Sequence, residues 1–165
     1  MGPFDILSEL HRELEDRFAA FTPGEEPGEP GAWRERAEEL AEVLRVHARL
    51  EERHLHPLLA RMEGRARARE EAEDQLTVRE LLEELSELEP GGDEWWARFT
   101  ALEDQVVAHV REQEAETFPR LSSTLDSQEQ DELHQAFLIL REELVPRPDT
   151  VAGGDRLLEA PRGTP

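Results

Sequence analysis

His47 and Glu51 stand four residues apart, so on a helix the imidazole and the carboxylate share a face, one turn from each other. His54 lies seven residues beyond His47 and returns to that face. On the inward side of a helical bundle such a pair can hold a metal ion. On a solvent face it is an ordinary polar pair of a highly charged helix. The surrounding sequence favours the first reading, because the stretch recurs. Aligning Trp33 with Trp95 runs two segments together without a gap: Leu40 meets Leu102, Leu44 meets Val106, His47 meets His109, Glu51 meets Gln113, Glu52 meets Glu114, Pro57 meets Pro119 and Leu59 meets Leu121. Glu-Pro-Gly precedes both copies, at 29–31 and 89–91. The repeat reads as one helical hairpin duplicated and packed on itself.

Composition narrows the chemistry. The 165 residues fit one domain, and 40 acidic against 19 basic residues give a net charge of −21. A surface of that sign argues against nucleic-acid and anionic-membrane partners, where a basic patch is expected. With no Cys, disulfides, thiolate catalysis and Cys-ligated clusters are excluded, and with no Tyr, phenolate ligands are excluded. No apolar run approaches a membrane span, and no leader pattern opens the chain, so a cytoplasmic protein is expected.

The elements that must carry the histidines follow from periodicity. Phe4, Leu7, Leu10, Leu14, Phe18 and Phe21 have the three-and-four spacing of an amphipathic helix, with His11 at the edge of the stripe. Residues 22–31, TPGEEPGEPG, are too rich in proline to be helical. A second helix is predicted over 32–59, ended or sharply bent by Pro57. A third is predicted over 66–88, with Val78, Leu81, Leu82, Leu85 and Leu88 as its stripe, and a fourth over 93–121. Ser127 with Gln130 suggests a capping box for a fifth helix, 127–145. No segment alternates like a strand. The expected fold is an all-α, up-down-up-down four-helix bundle of two repeated hairpins with a short additional C-terminal helix, residues 1–145. Residues 146–165 are expected to form an extended or disordered tail.

Laid on the first helix, the third places Val78 on Leu14, Leu82 on Phe18 and Gln75 on His11. His11, His47, Gln75 and His109 then occupy equivalent inward positions, one per helix, with Glu51 and Gln113 one turn beyond. Such a layer can hold one or two metal ions. Imidazole and carboxylate without thiolate suit iron or manganese, with zinc possible.

These residues resemble the hemerythrin-like family, the HHE cation-binding domains, over about residues 4–121. The resemblance is carried by His11 within DILSELHREL, by HARLEERHLHP and by HVREQEAETFP. It implies a four-helix bundle with a His on each helix and acidic ligands on the second and fourth. These hold a carboxylate-bridged di-iron centre that binds dioxygen, reacts with peroxide or nitric oxide, or senses iron or oxygen. This chain departs from the pattern in one half of the site. His11, His47 and Glu51 are intact, and His109 is kept, but Gln75 stands where the family has His and Gln113 where it often has Glu. Some members use an acid five residues past the fourth-helix His, which here is Glu114. Five residues turn about 140° from the starting face of an ideal helix, so Glu114 needs a π-type irregularity to reach the site.

A displaced site is the alternative. His54 and Glu116 align in the repeat one turn past Glu51 and Gln113, and Glu71, four before Gln75 on an antiparallel helix, reaches the same level. Glu51, His54, Glu71 and Glu116 would make a carboxylate-rich cluster. His56 reads as packing or surface, His134 as a helix-edge residue, and Trp33, Trp95 and Trp96 as the aromatic closure of one bundle end. Two functions follow. One is a non-haem iron protein acting as carrier, sensor, or peroxidase- or oxygenase-like enzyme. The other is a metal-free bundle serving interaction or stress response.

Overall fold

A computed structural model describes residues 2–25 and 31–145; the expected tail and part of the first linker lie outside these residues. Among the described residues every regular element is a helix, and the architecture is the expected all-α bundle. The first rod is α1 (Asp5–Ala19). The second runs from α2 (Ala32–Leu50) through a π turn (Glu51–Leu55) into α3 (His56–Glu63). The third is α4 (Arg65–Glu87). The fourth repeats the second: α5 (Asp93–Glu112), a π turn (Gln113–Thr117) and α6 (Phe118–Thr124). A fifth helix, α7 (Ser127–Leu144), lies against α1, α2 and the first π turn.

Each rod buries the face its periodicity marks. Leu7, Leu10, His11, Leu14 and Phe18 of α1 are buried, as are Leu40, Leu44, His47 and Leu50 of α2 and Phe99, Leu102, Val106 and His109 of α5. On α4 only Leu85 and Glu71 are fully buried, while Val78, Leu81, Leu82 and Leu88 are partly covered. His11 meets His47 while Arg17 meets Glu39, and Arg67 meets Glu112 while Glu84 meets Arg98; the partner's number falls as the residue number rises, which makes these neighbouring rods antiparallel. At one end Trp33 stacks on Phe21 and meets Trp96 edge-on, and Trp95 stacks on Phe99. Gly91, at a left-handed φ of 89°, brings the connection close; a Cβ there would stand 3.3 Å from Trp33.

Pro57 neither ends the second rod nor interrupts it; the helix continues six residues beyond it to Glu63. The π turn explains this. His56 N–H donates to the Glu51 carbonyl, one residue further back than in an α-helix, and Phe118 N–H donates to Gln113 in the second copy. The widened turn already leaves backbone carbonyls without their usual donors, so a residue lacking an N–H sits there without a lost bond. The capping box of α7 falls one residue earlier than expected. Asp126 Oδ1 accepts from Glu129 N–H at 2.8 Å, and Glu129 Oε2 accepts from Asp126 N–H at 3.0 Å. Aspartate is at least as good a cap as serine, and Ser127 becomes the first helical residue.

Phe137 anchors α7. It is fully buried against Phe4 and takes the edge of the His54 ring at 5.5 Å. Replacing it with Ala should cost about 3–5 kcal/mol, the range for an aromatic removed from a packed core. Urea unfolding of Phe137→Ala measures this; a change under about 1 kcal/mol would mean that α7 is peripheral to the cooperative unit.

Candidate metal centre

Glu51 is the point where the rods meet. It is completely buried, the first residue of the π turn, and four rods direct polar groups at it or at its neighbour His47. His47 Nε2 lies 3.0 Å from Glu51 Oε1, and Gln113 Nε2 donates to the same oxygen at 2.8 Å. His109 Nε2 approaches it at 3.4 Å, and Gln75 Nε2 donates to Oε2 at 2.6 Å. His11 joins through His47, Nε2 to Nε2 at 2.9 Å. The expected layer is therefore assembled, including both glutamines.

Glu114 also reaches the site, on the π turn its spacing demanded, but it stands behind His11. Its Oε1 accepts from His11 Nδ1 at 2.7 Å, and its Oε2 accepts from Ser8 Oγ at 3.1 Å. A carboxylate on Nδ1 fixes the proton there and turns the lone pair of Nε2 inward. His11 Nε2, His47 Nε2 and a Glu51 oxygen lie within 4.8 Å of one another, all buried, as a metal's ligands would. Two ring nitrogens face each other across 2.9 Å, where only one can carry a proton. That donor set, two imidazoles and one carboxylate converging on a point, fits a divalent first-row metal.

A second group of polar atoms adjoins the first. Glu51, His56 and Glu71 also bring ligand atoms within 4.8 Å of one another. Glu71 is fully buried, as the displaced-site reading expects, but the other two residues of that reading are elsewhere. His54 packs on Phe137 under α7, and Glu116 is exposed, with Thr117 turned inward in its place. The π turn is the reason. Its i→i−5 hydrogen bonds offset the faces beyond it, so that Leu55 and Thr117 are fully buried, Phe118 is buried beside Thr117, and His56 is half-buried beside Leu55. His56, read as packing or surface, therefore points its Nε2 toward Glu51 Oε2 at 4.0 Å. Sequence reasoning also missed Arg67, which holds Glu71 Oε1 at 2.8 Å, and Asp74, 3.6 Å from His109 Nδ1. His134 is buried in α7 rather than at its edge.

Burial opposes ionisation of Glu51, but the attraction of His47 and His109 and their hydrogen bonds outweighs it and holds the carboxyl well below its ordinary range. Burial also opposes a charge on His109, yet Glu51, Asp74 and Glu71 around it push it up to about 10. His11 goes the other way. Burial, then the neighbouring His47, lowers it to about 4 against the pull of Glu114 and Glu51. Burial, helped by Glu51, raises Glu71.

These opposite shifts predict a bell-shaped stability profile for metal-free protein. Between pH 4 and 6.5 the unfolded chain binds a proton at His11 that the folded chain refuses, so stability falls as pH falls. Between pH 6.5 and 10 the folded chain keeps a proton on His109 that the unfolded chain releases, so stability falls as pH rises. Urea unfolding of chelator-treated protein should give a maximum near pH 6.5, losing on the order of a few kcal/mol on each side. His109→Gln should flatten the alkaline limb; an unchanged alkaline limb in that variant would refute the assignment.

A DNA nickase from Nostoc sp. is 26% identical over 117 residues, covering 71% of this chain and 33% of that protein, so the chain spans about a third of its length. No solved structure matches the chain. The profile of the hemerythrin HHE cation binding domain matches residues 2–121, the four rods that carry every residue of the centre, and the chain belongs to that family.

Proposed function

We propose that the chain binds iron at His11, His47 and Glu51 and there takes up or reacts with dioxygen, peroxide or nitric oxide, as a carrier, a sensor or a peroxidase- or oxygenase-like enzyme. The observation that carries this reading is the convergence of two buried imidazole nitrogens and a buried carboxylate oxygen, with the outer nitrogen of His11 fixed by Glu114. Manganese or zinc would suit the same donors. Iron bound there supplies a redox couple and a Lewis acid with open positions. The chain supplies the rest. Glu114 keeps a proton on Nδ1 of His11, and Gln75 and Gln113 hold the Glu51 carboxylate in place with amide donors.

The approach to the centre suits a small uncharged ligand. A cavity of about 600 Å³ lies between α2 and α4, where Leu40, Leu44, Val78 and Leu82 supply apolar walls beneath charged residues such as Arg45, Arg49, Glu52 and Arg79. A smaller one of about 30 Å³ continues from Leu44, Ala48 and Val78 to His47 and His109. The apolar side of this inner cavity, Leu44, Ala48, Val78 and Val106, accepts small uncharged molecules such as dioxygen and nitric oxide.

A second reading draws on the same glutamines. Their amides donate to Glu51 and satisfy a buried carboxylate without a cation, as a metal-free interaction or stress-response module would require. The similarity to a DNA nickase suggests a third, which we do not adopt. It covers a third of that protein, and a net charge of −21 opposes approach to a phosphate backbone.

Anaerobic reconstitution with ferrous iron, desalting and elemental analysis distinguish the first two. Iron should be retained, His47→Ala should abolish tight retention, and Glu114→Gln should weaken it about 10–100-fold, as loss of a ligand-orienting partner does. Failure to retain iron, manganese or zinc would leave the metal-free module. Supercoiled plasmid incubated with the iron- or manganese-loaded chain should stay intact; nicking that His47→Ala removes would overturn that exclusion.

A further inference from the structure

The repeat gives the bundle two equivalent seams, and one of them is hollow. α4 meets α2 as α1 meets α5, and under that match Val78 stands for Leu14, Leu82 for Phe18 and Leu85 for Phe21. Leu14, Phe18 and Phe21 are all buried, and Phe18 meets Phe99 edge-on at 5.7 Å, so the α1–α5 seam is filled. In the α2–α4 seam every one of these positions carries a smaller side chain. Val78 and Leu82 are only partly covered there, and the cavity of about 600 Å³ lies between them and Leu44, Trp95 and Phe99. Protein interiors pack densely, and a cavity of that volume is the size that takes a small molecule.

Charge separates the seams as well. Arg79 stands for Glu15 and Arg45 for Val107, while Arg49 has its match in Arg111. Four arginines and three glutamates line the cavity, a positive balance in a chain of net charge −21. The excess sits at the end nearest Gln75. There Glu52 lies between two guanidiniums, 3.5 Å from Arg49 and 3.2 Å from Arg79, and one carboxylate does not use the donors of both. Farther along, Arg45 pairs with Glu42 at 3.0 Å and has Glu83 on the facing wall, Arg34 is accompanied by Glu38, and the cavity closes on Trp95 and Phe99. The cavity is therefore cationic at one end and apolar along its floor.

We propose that this cavity binds an unbranched alkyl monocarboxylate of medium chain length, with its carboxylate on Arg49 and Arg79 and its chain along Leu44, Val78 and Leu82 toward Trp95 and Phe99. Arginine forks suit a carboxylate, and burial of the chain supplies the affinity. Arg49 and Leu40 both line the cavity nine residues apart, about 13 Å along the helix, a length that a chain of about ten carbons spans. The site goes beyond the proposed function and needs no metal. It shares Leu44, Ala48, Gln75 and Val78 with the smaller cavity that reaches His47 and His109, so a chain seated there covers that side of the candidate centre.

Calorimetric titration of the chelator-stripped full chain with dodecanoate, below its micellar concentration, tests the site, with dodecan-1-ol and butanoate as comparisons. Trp95 lies in the wall, so tryptophan fluorescence follows the same event. One dodecanoate should bind per chain, at least about tenfold more tightly than either comparison ligand. Two substitutions install what the filled seam already carries, Leu82→Phe and Arg79→Glu, and circular dichroism with the urea midpoint checks their folding. Leu82→Phe should abolish binding of dodecanoate and of dodecan-1-ol. Arg79→Glu should weaken dodecanoate about tenfold and leave dodecan-1-ol unchanged. Absence of saturable dodecanoate binding, or binding unchanged in both variants, would overturn the site, and equal affinity for dodecan-1-ol would overturn the role of the arginines. Binding that appears only after iron loading would put the carboxylate on the metal instead and refute the cavity. Light scattering covers the other occupant: a dimer that Leu82→Phe disperses and dodecanoate does not would give the cavity to a second copy of the chain and overturn the proposal.

Discussion

A carboxylate with no exposed surface, Glu51, sets the terms for this bundle. Removing a charge from water costs several kcal/mol even after the surroundings relax, and the cost is offset only by well-placed partners. Here the partners come from the second, third and fourth rods: His47 on its own rod, Gln75 on α4, and His109 and Gln113 on the α5 rod. Sliding the third or fourth rod by a turn would take partners away from the carboxylate. Apolar stripes tolerate such slips far better, since one leucine replaces another. The polar layer thus supplies register to a bundle whose apolar contacts alone specify it weakly, α4 above all, where Leu85 is the one fully buried apolar residue. The same convergence supplies the donor set of the candidate centre, so the register device and the candidate centre are one set of atoms.

The two π turns decide which atoms those are. They occupy matching places in the two copies, directly after the helix segment that carries His47 or His109. Each shifts the inward face by one residue, and that shift does three things. It lets Pro57 and Pro119 sit inside continuous rods, it swings Glu114 to the back of His11, and it turns the fifth residue after Glu51 or Gln113 toward the bundle. In the first copy that residue is His56, which prolongs the polar seam. In the second it is Phe118, which stacks on His11 at 5.8 Å and on Phe4 at 4.5 Å and seals the bundle there. π turns are rare single turns inside α-helices and recur where the side chains they aim serve a site.

Most of the bundle was legible in the sequence because its signals are local and redundant. The three-and-four spacing of α1, α2 and α5 marks the buried faces, and the duplicated hairpin gives the rod order and the layer containing His11, His47, Gln75 and His109. The level beyond Glu51 was misread for a definite reason. His54 and Glu116 face inward only if the α-helical phase continues past Glu51 and Gln113, and it does not. The spacing of Glu114 from His109 already called for a π turn in the fourth rod. Glu52 aligns with Glu114 without a gap, and Pro57 with Pro119, so the same turn was implied in the second rod, and with it the inward step to His56. Arg67 and Asp74 were out of reach for a different reason. Among 19 arginines and 40 acids, no sequence pattern separates the few that meet across rods from those facing water.

Divergence between the copies explains why the centre is lopsided. Under the repeat, His11 corresponds to Gln75 and Glu114 to Glu52. In one half the imidazole survives and its carboxylate holds it at 2.7 Å. In the other the imidazole has gone, Gln75 has turned to Glu51, and Glu52 is left to pair with Arg79 at 3.2 Å near the surface. An amide in place of an imidazole, and another in place of a carboxylate at Gln113, remove both a strong donor and a negative charge from that half. A second carboxylate, Glu71, is buried nearby, where Arg67 pairs with it at 2.8 Å and offsets the cost of its burial. The amide at Gln113 then has a role that a carboxylate could not fill. Its N–H group bridges Glu51 and Glu71, two acids that a third negative group would drive apart.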